Sequence, residues 1–387
     1  MSNTLRGFAP QEFMDRTARA QSMMATVDLD ALLLTTEPEV RYYTGFLTRF
    51  WESPTRPWFV VLPAQGMPIA VIPSIGAHLM RQTWITDIRT WQAPNYSDDG
   101  VGLLADTLRE IVPRGGRIGL ADTMESHVRM PLADLHALQA ALAPCQIVSD
   151  TQITRKLRTI KSDSEIAKIR AAAQVADRAF DRVGDIARPG VPLSAVFRDF
   201  QALCLSEGAD WVPYLAGAAG AGGYGDVISP ATDAPVQPGD VLMLDTGLVR
   251  DGYFCDFDRN YSVGTPSVSV SGAHARLVDA TRAAFDIARP GSIISDLFHA
   301  MDRVANPGGS TLEAGRLGHG LGMQLTEWPS IVATDHTPLV PGMVLTLEPS
   351  VLLGEDRIMV HEENIVITKD GAAWLSTPQA RDIRVLT

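Results

Sequence analysis

The C-terminal part of the chain contains five acidic or histidine residues whose types suit metal chemistry, each in a short segment that reads as a strand. They are Asp245, Asp256, His319, Glu348 and Glu362. Carboxylate oxygens and an imidazole nitrogen form a ligand set that accepts divalent ions such as Mn, Fe, Co or Zn. Burying four carboxylates together without a cation is very unfavourable. The five residues therefore predict a metal site.

Asp245 and Asp256 lie on two predicted strands that a tight turn joins. A turn centred between Arg250 and Asp251 places the two aspartates opposite each other, with Cβ atoms roughly 4.5–5.5 Å apart. A turn centred one residue later pairs Asp245 with Asp258 instead, and the sequence leaves both registers open. Two carboxylates at such a distance repel each other unless a proton or a cation lies between them.

The other three residues differ in how their surroundings support a site. Glycines surround His319 and allow the backbone to approach a crowded centre, although an exposed histidine in a turn would look the same. Glu348 ends the apolar run at residues 343–347. Glu362 and Glu363 are neighbours on a predicted strand, so only one of them can face the site.

Composition sets limits on the kind of protein this is. With 387 residues, 45% of them hydrophobic, the chain has the length and composition of a two-domain globular protein. Its net charge of -12 argues against nucleic-acid binding, which needs basic residues to neutralise phosphate. No secretory signal is expected at the N-terminus, and prolines interrupt the most apolar window, residues 58–77, so no membrane span is expected. Three distant cysteines predict reduced thiols in a cytoplasmic protein.

The pattern of apolar and charged residues changes near residue 150, and this change predicts two domains. Residues 1–150 alternate short apolar strands with amphipathic helices, which is typical of a layered α/β domain. A long, charged and Ala-rich helical stretch follows at residues 150–183, with Ser162 or Ser164 as a cap for its main segment. Residues 151–387 then combine helices with antiparallel strands, so an α+β domain is expected there.

A set of short segments carries a resemblance to a known family: residues 40–46, 158–166, 238–247, 252–256, 318–322, 341–349 and 362–368. Taken together, these segments resemble the metallopeptidase family of the pita-bread fold, and most closely its Xaa-Pro peptidase and creatinase-like branch. The resemblance extends over nearly all of the chain. It implies an α+β two-domain protein with an N-terminal creatinase-like α/β domain and a C-terminal pita-bread domain.

The resemblance also implies a site and an activity. It makes the five residues named above ligands of two divalent metal ions (Mn, Co, Fe or Zn), with Asp256 and Glu362 bridging the pair. The implied function is a dinuclear hydrolase similar to Xaa-Pro aminopeptidase or dipeptidase, in which a metal-activated hydroxide attacks an amide carbonyl. Glu348 is then the candidate catalytic general base. Because all five ligands are present, the metal-free arrangement of creatinase is not expected.

Three departures from the family pattern leave the substrate open. The positions of two histidines that steer the substrate in family peptidases are Ile228 and Thr326 here. Asp258 replaces a threonine, and either joins the site as a ligand or acid–base group or forms a salt bridge with Arg259 or another cation. His336 is a candidate replacement for a missing imidazole. The alternatives are therefore a small-molecule hydrolase or lyase of the same fold, or a metal-bearing binding protein without catalysis.

The N-terminal domain contributes one further candidate segment, a loop at residues 49–58 that combines aromatic residues with two arginines. Trp51 and Arg56 offer an aromatic face and a bidentate cation for a charged substrate, although an ordinary polar loop would have the same composition. In the branch that the chain resembles, such a loop reaches the active site of a dimer partner. The expected partners are thus a short peptide or small-molecule substrate and a second copy of the chain.

Overall fold

The computed structural model describes residues 6–53, 56–308, 315–354 and 356–387. The chain divides into two compact units, one ending at Arg158 and the other spanning Thr159–Thr387. Within the described ranges, no helix is both long enough and apolar enough to cross a membrane.

The N-terminal unit is built on one mixed six-stranded sheet with helices packed against it, as the alternation of strands and helices predicts. The strand order is β4-β3-β2-β1-β5-β6, with antiparallel pairs only at β1–β2 and β2–β3. Its strands are β1 (Ala31–Leu34), β2 (Phe59–Pro63), β3 (Ile69–Pro73), β4 (Asp87–Trp91), β5 (Arg117–Leu120) and β6 (Gln146–Ser149). Its helices are α1 (Pro10–Thr26), α2 (Glu37–Thr44), α3 (Ala77–Met80), α4 (Val101–Ile111), α5 (Leu132–Leu142) and α6 (Ile153–Thr159). The α/β prediction for this region is confirmed, although the sequence did not predict α2, α3 and β4.

The C-terminal unit contains two five-stranded sheets and a two-stranded ribbon, with helices around them. The first sheet has the order β18-β10-β8-β7, with β9 paired to β8; the second has the order β12-β11-β13-β16-β17; and β14 pairs with β15. Its helices are α7 (Asp163–Asp181), α8 (Val183–Ile186), α9 (Leu193–Glu207), α10 (Val268–Ile287) and α11 (Ile294–Ala305). Its strands are β7 (Trp211–Ala221), β8 (Asp240–Arg250), β9 (Tyr253–Phe254), β10 (Phe257–Val263), β11 (Gly318–Gly320), β12 (Glu327–Ser330), β13 (Val344–Leu347), β14 (Ser350–Gly354), β15 (Arg357–Val360), β16 (Glu363–Ile367), β17 (Ala372–Trp374) and β18 (Arg384–Leu386).

The predicted long helix at residues 150–183 is interrupted between α6 and α7. The Lys161 amide donates to the Gly342 carbonyl at 2.9 Å, which ties the interruption to the turn before β13. Helix α7 then starts with a capping box, because Ser162 accepts from the Glu165 amide and Glu165 accepts from the Ser162 amide. The structure thus selects Ser162 as the cap.

The hairpin of β8 and β10 fixes the register that the sequence left open. Asp245 pairs with Asp258, so the register is that of the later turn centre. Asp251 and Gly252 both have positive φ, at 52° and 78°, as a two-residue hairpin turn requires. Asp256 lies between β9 and β10 and is not on a strand, so the alternative that pairs Asp245 directly with Asp256 is not the one adopted.

The first part of the Gly-rich run at residues 217–225 belongs to strand β7. Residues 217–221 pair with residues 240–244 of β8. A Cβ atom at Gly217 would collide with the Met243 carbonyl, so the close approach of the two strands requires glycine there. The long strand β8, whose first ten residues are all buried, is therefore flanked on both sides by paired strands.

Candidate metal centre

Three buried carboxylates meet where the two sheets of the C-terminal unit approach each other. Asp245 lies within β8, Asp256 follows β9, and Glu362 immediately precedes β16. Each offers an oxygen atom, and these atoms lie within 4.8 Å of one another. All three residues are at least nine-tenths buried. The structure thus brings together residues that the sequence separates by more than one hundred positions.

The ionised form of these carboxylates is unfavourable, because they are buried and repel one another. Burial raises the pKa of Asp245, Asp256 and Glu362 well above the usual range, and the repulsion among the acids raises each pKa further. Asp245 Oδ1 is buried and has no hydrogen-bond partner among the described residues. A buried acceptor without a donor is rare, and each case needs an explanation. The arrangement therefore calls for a cation.

His319 supplies a nitrogen to the same place from strand β11. Its Nδ1 lies 2.8 Å from the Gly320 carbonyl, which can only accept, so Nδ1 carries the hydrogen. Its Nε2 then faces Asp256 Oδ2 at 3.2 Å. A histidine ligand of a metal characteristically donates its other ring N–H in this way, and the tautomer is fixed by that bond.

Glu348 stands at the half-exposed side of the cluster, directly after β13. Its amide donates to the Leu317 carbonyl at 3.0 Å, which brings the residues before β11 beside it. Its charge contributes to the raised pKa of all three clustered acids. Arg316 acts in the opposite direction and lowers the pKa of Asp256, although burial and Glu348 outweigh it.

Side-chain hydrogen bonds to the backbone of Asp256 hold this residue in place. Asn364 accepts from the Asp256 amide at 3.0 Å and donates to the Asp256 carbonyl at 2.5 Å. Thr346 donates to the same carbonyl at 3.1 Å. Asn364 lies on β16 two residues after Glu362, so the two side chains project to the same side of the strand. The start of β16 thereby supplies one candidate ligand, Glu362, and fixes the backbone of another, Asp256.

The neighbouring Glu363 is a buried acid whose charge is neutralised by other side chains of the protein. Its carboxylate lies 3.1 Å from Arg259 Nη2 and 3.3 Å from His361 Nε2. Burial alone would raise the pKa of Glu363, but Arg259, His361 and a hydrogen bond from Ser376 together lower it. The charged groups that raise the pKa of Glu362, one residue earlier, are all acids, so the two neighbouring glutamates have opposite electrostatic surroundings.

Asp258 lies beneath the cluster rather than in it. Its Oδ1 accepts from the Glu362 amide at 2.7 Å, and its Oδ2 accepts from Asn260 at 3.3 Å. His361 Nδ1 is 3.5 Å from Oδ1. Arg259 donates to the Asp258 backbone carbonyl. The choice between the two alternatives for Asp258, a group of the site or a salt bridge, stays a prediction.

The residues of the cluster fit divalent metal ions. Three buried carboxylates, an imidazole whose Nε2 faces one of them, and a fourth carboxylate at the edge form an oxygen-rich donor set. The unpartnered Asp245 oxygen is accounted for if a cation is its partner. The bridging and catalytic roles of individual residues stay predictions.

The structure does not bring the other predicted residues together with the cluster. Ile228 is 79% exposed in a turn that Asp226 caps, and Thr326 is exposed, where it accepts from Arg316 at 3.4 Å. His336 is exposed in the loop whose backbone bonds the first turn of α11. No contact between His336 and the three acids is found in the described part of the chain.

Trp51 and Arg56 belong to the N-terminal unit. The Trp51 ring is 8% exposed, lies 5.9 Å from the Trp58 ring and has the Arg129 guanidinium 5.1 Å from its centre. Arg56 lines a cleft of about 1100 Å³ in this unit, and its carbonyl accepts from Arg129 at 2.6 Å. Their role in substrate binding stays a prediction.

Three residues near the cluster were missed by sequence reasoning. Tyr214 lies close enough to Asp245 to lower its pKa, and burial followed by the neighbouring acids raises the pKa of Tyr214, so its hydroxyl stays protonated. No signal pointed to Tyr214, because β7 was not predicted. Asn364 could have been found from its position two residues after Glu362 on one strand, and Arg316 from its proximity to His319.

Comparisons with known proteins give a consistent picture. A family model described as metallopeptidase family M24 matches residues 167–370, and one described as the creatinase/prolidase N-terminal domain matches residues 16–160. A relative named "Probable dipeptidase PepE" from Mycobacterium bovis is 29% identical over 377 residues, 95% of each chain. A relative named "Xaa-Pro dipeptidase" from Pyrococcus horikoshii is 29% identical over 227 residues, 58% of this chain and 64% of its own. The crystal structure of dipeptidase PepE from Mycobacterium ulcerans has a TM-score of 0.84 at 28% identity, covering 98% of this chain and 99% of that one.

Proposed function

Because the chain belongs to the metallopeptidase family M24, we propose that it hydrolyses Xaa-Pro dipeptides or closely related short peptides at a centre of two divalent metal ions. The chain is a metallohydrolase with the two-domain fold of this family. The observation that carries the proposal is the group of three buried acids whose pKa values are raised and which has a histidine Nε2 beside it. Relatives that cover nearly the whole chain are named dipeptidases, which supports a short substrate.

The ligands proposed for the two ions are Asp245, Asp256, His319, Glu348 and Glu362. Bound at this cluster, the ions would supply Lewis-acid polarisation of a substrate carbonyl and activation of water. The residues of the chain prepare the cluster by fixing their own geometry, since Asn364 holds the Asp256 backbone and Gly320 fixes the His319 tautomer.

Glu348 is the proposed general base. It is the half-exposed carboxylate of the group, so it is the one that both water and a substrate can reach. It would accept a proton from the attacking water and return it to the departing amine. Tyr214 keeps its hydroxyl proton and lies beside Asp245, where it provides a hydrogen-bond donor at the same face.

The test is hydrolysis by the full chain after chelation and reloading with one metal at a time. Ala-Pro, Ala-Ala and an Ala-Pro amide are offered to the protein loaded with Mn²⁺, Co²⁺ or Zn²⁺, and the released amino acid is measured. We expect metal-dependent cleavage of Ala-Pro. Asp256→Asn should lose at least a hundredfold in kcat/KM, since it replaces a charged proposed ligand by a neutral amide of the same size.

Asp240→Asn is the matched control. Asp240 is also a buried aspartate of β8, and it accepts from the Gln237 amide at 2.8 Å, but it lies at the other end of the strand from the hairpin turn. Its activity should equal that of the unchanged protein. Full activity in Asp256→Asn, or no peptide cleavage with any of the three metals, would contradict the proposal.

The homodimer, the cytoplasmic location and the preference for a particular metal stay predictions from the sequence. No observation favours the small-molecule hydrolase or lyase, or the non-catalytic binding protein, over the peptidase.

A further inference from the structure

We propose that three charged residues, in and just before the first two turns of helix α7, position the candidate ligand Asp256 beside the candidate ligand His319. The three residues are Lys161, Glu165 and Lys168. They act on the centre through other residues, namely a carboxylate in the turn after β11 and the hairpin that leads to Asp256. The inference rests on the metal site of the proposed function.

The two candidate ligands come from different segments of the chain. His319 lies within β11, and pairing with β12 and β13 fixes its backbone. Asp256 lies between β9 and β10, outside any strand, although its Oδ2 is 3.2 Å from His319 Nε2. A backbone bond joins the two segments, from the Phe254 amide to the Gly322 carbonyl at 2.9 Å. The turn that contains Gly322 therefore sets where Asp256 meets His319.

The carboxylate of Glu327 holds this turn in shape. Its Oε1 accepts from the Met323 amide at 2.8 Å and from the Gln324 amide at 3.2 Å. Gly322 leaves room for the carboxylate, because a Cβ atom there would lie 2.9 Å from Glu327 Oε1. Lys161 Nζ donates to the other oxygen, Oε2, at 3.1 Å, and both side chains of this ion pair are buried. Lys161 thereby fixes the carboxylate that shapes the turn.

Glu165 and Lys168 hold the segment on the other side of the same backbone bond. They are three residues apart on α7, so they lie on one face of the helix. The Tyr253 hydroxyl donates to Glu165 Oε1 at 2.9 Å, and Lys168 forms an ion pair with Asp251 at the hairpin turn. Both helix residues are buried. The hairpin is thus tied to α7 just before the chain reaches Asp256.

The ion pair of Lys161 and Glu327 allows positioning to be separated from stability. Desolvation of two buried charges offsets much of their attraction, so removing both members of such a pair is often neutral, whereas removing one is costly. A variant without either charge can therefore keep the fold. If the pair only stabilises the protein, that variant binds metal as the unchanged protein does; if the pair positions Asp256, metal binding weakens although the fold is kept.

The test measures metal binding without a substrate. Mn²⁺ is titrated into the chelated full chain carrying Lys161→Met/Glu327→Leu, Lys161→Met/Glu327→Gln or Tyr253→Phe. Circular dichroism and urea unfolding check the fold, and the visible absorption of the Co²⁺-loaded protein reports the ligand geometry. The glutamine variant keeps an acceptor oxygen for the two amides of the turn, and the leucine variant removes it.

Tyr261→Phe is the matched control for Tyr253→Phe. Tyr261 is also a buried tyrosine whose hydroxyl donates to α7, at 2.8 Å to the Phe180 carbonyl, but it lies on β10 after Asp256. Each of the two variants loses a hydroxyl and its hydrogen bond, and the expected loss of stability is about 1 kcal/mol in both. A difference between them in metal binding is therefore not an effect of stability.

We expect the leucine double variant to raise the dissociation constant for Mn²⁺ about tenfold or more and to change the Co²⁺ spectrum, because residues that orient metal ligands have effects of this size. The glutamine double variant should lose less, since the turn keeps its acceptor. Tyr253→Phe should weaken binding about threefold or more, in line with the loss of one hydrogen bond, and Tyr261→Phe should leave affinity and spectrum unchanged.

Wild-type affinity and an unchanged Co²⁺ spectrum in a folded leucine double variant would overturn the inference, as would a loss of affinity in Tyr261→Phe as large as that in Tyr253→Phe. If the leucine variant does not fold, the glutamine variant and Tyr253→Phe decide the question by the same criteria. If the unchanged protein binds Mn²⁺ and the variants bind it equally well, only this inference fails. If the unchanged protein binds no metal, the proposed function fails with it.

Discussion

Replacing Asp245 by asparagine should stabilise the protein without metal and remove most of the stabilisation that metal binding gives it. Two unit charges 4.8 Å apart, the upper limit within the cluster, repel by about 3 kcal/mol at an effective dielectric constant near 20. Asp245 has two such neighbours, Asp256 and Glu362. Its Oδ1 has no hydrogen-bond partner among the described residues, so the asparagine loses no bond there.

The size of the effect depends on pH, because the folded protein can relieve the repulsion by keeping protons. The pKa values of these acids are raised in the folded state, first by burial and then by one another. A raised pKa contributes stability at a pH below the unfolded value, near 4, and that stability is lost as the pH rises through the folded value. The metal-free protein should therefore become less stable from about pH 4 upward, and Asp245→Asn should reduce this loss.

At pH 8 we expect Asp245→Asn to stabilise the metal-free protein by about 1–3 kcal/mol, with a smaller gain at pH 5. With Mn²⁺ at a hundred times the dissociation constant, the unchanged protein gains about 2.7 kcal/mol from binding, most of which the variant should lose. The assay is urea unfolding of chelated and Mn²⁺-loaded protein at both pH values. Since the chain has two compact units, the transition that responds to metal is the one to compare.

The control for this experiment is again Asp240→Asn, whose side chain accepts from the Gln237 amide. It should change stability by less than about 1 kcal/mol and by the same amount with and without metal. If Asp245→Asn instead destabilises the metal-free protein at pH 8 as much as the loaded protein, the carboxylate has a favourable partner other than a metal, and the reasoning from repulsion is refuted.

Two further predictions follow from the same unit. Metal affinity should rise with pH, because ligands with raised pKa values must release protons before they bind; Mn²⁺ titration at pH 6 and pH 8 measures this, and equal affinities would contradict it. Lys161→Met should destabilise the protein by about 3–5 kcal/mol, because it removes one member of a buried ion pair, 3.1 Å from Glu327. Thermal unfolding checks the loss, and the double variant Lys161→Met/Glu327→Gln should lose less than the single variant, since the buried charge is then removed as well.

Local sequence predicts the parts of the structure that depend on interactions between residues close together in the chain. Strand β8 and the start of α7 follow from an apolar run and from the Ser162–Glu165 capping box. The Asp-Gly pair at the hairpin turn is also a local signal, and giving it more weight would have selected the observed register. The glycine-rich half of β7 has little intrinsic tendency to form a strand, so its pairing depends on β8.

The residue types of the candidate site were predictable from the sequence, but which side chains face the cluster and which lie behind it was not. The sequence could not tell which of Glu362 and Glu363 faces the cluster from charge alone, because the cation that neutralises Glu363 comes from Arg259, over one hundred residues earlier. The same distance in sequence hides the bond from the Glu362 amide to Asp258. Such roles depend on which strands meet, and only the tertiary fold decides that.

The alternation of Glu362 and Glu363 has a consequence for how this part of the gene can change. Strand β16 pairs with β13 in a fixed register, with Glu363 opposite Leu347. A slip of one residue in this register would exchange the two acids, sending the arginine-bound carboxylate into the cluster and the other towards Arg259. The same slip would turn the core residues Ile365 and Ile367 to the other face of the strand. Changes in the length of the β15–β16 connection should therefore be tolerated only where they leave the pairing of β13 with β16 unchanged.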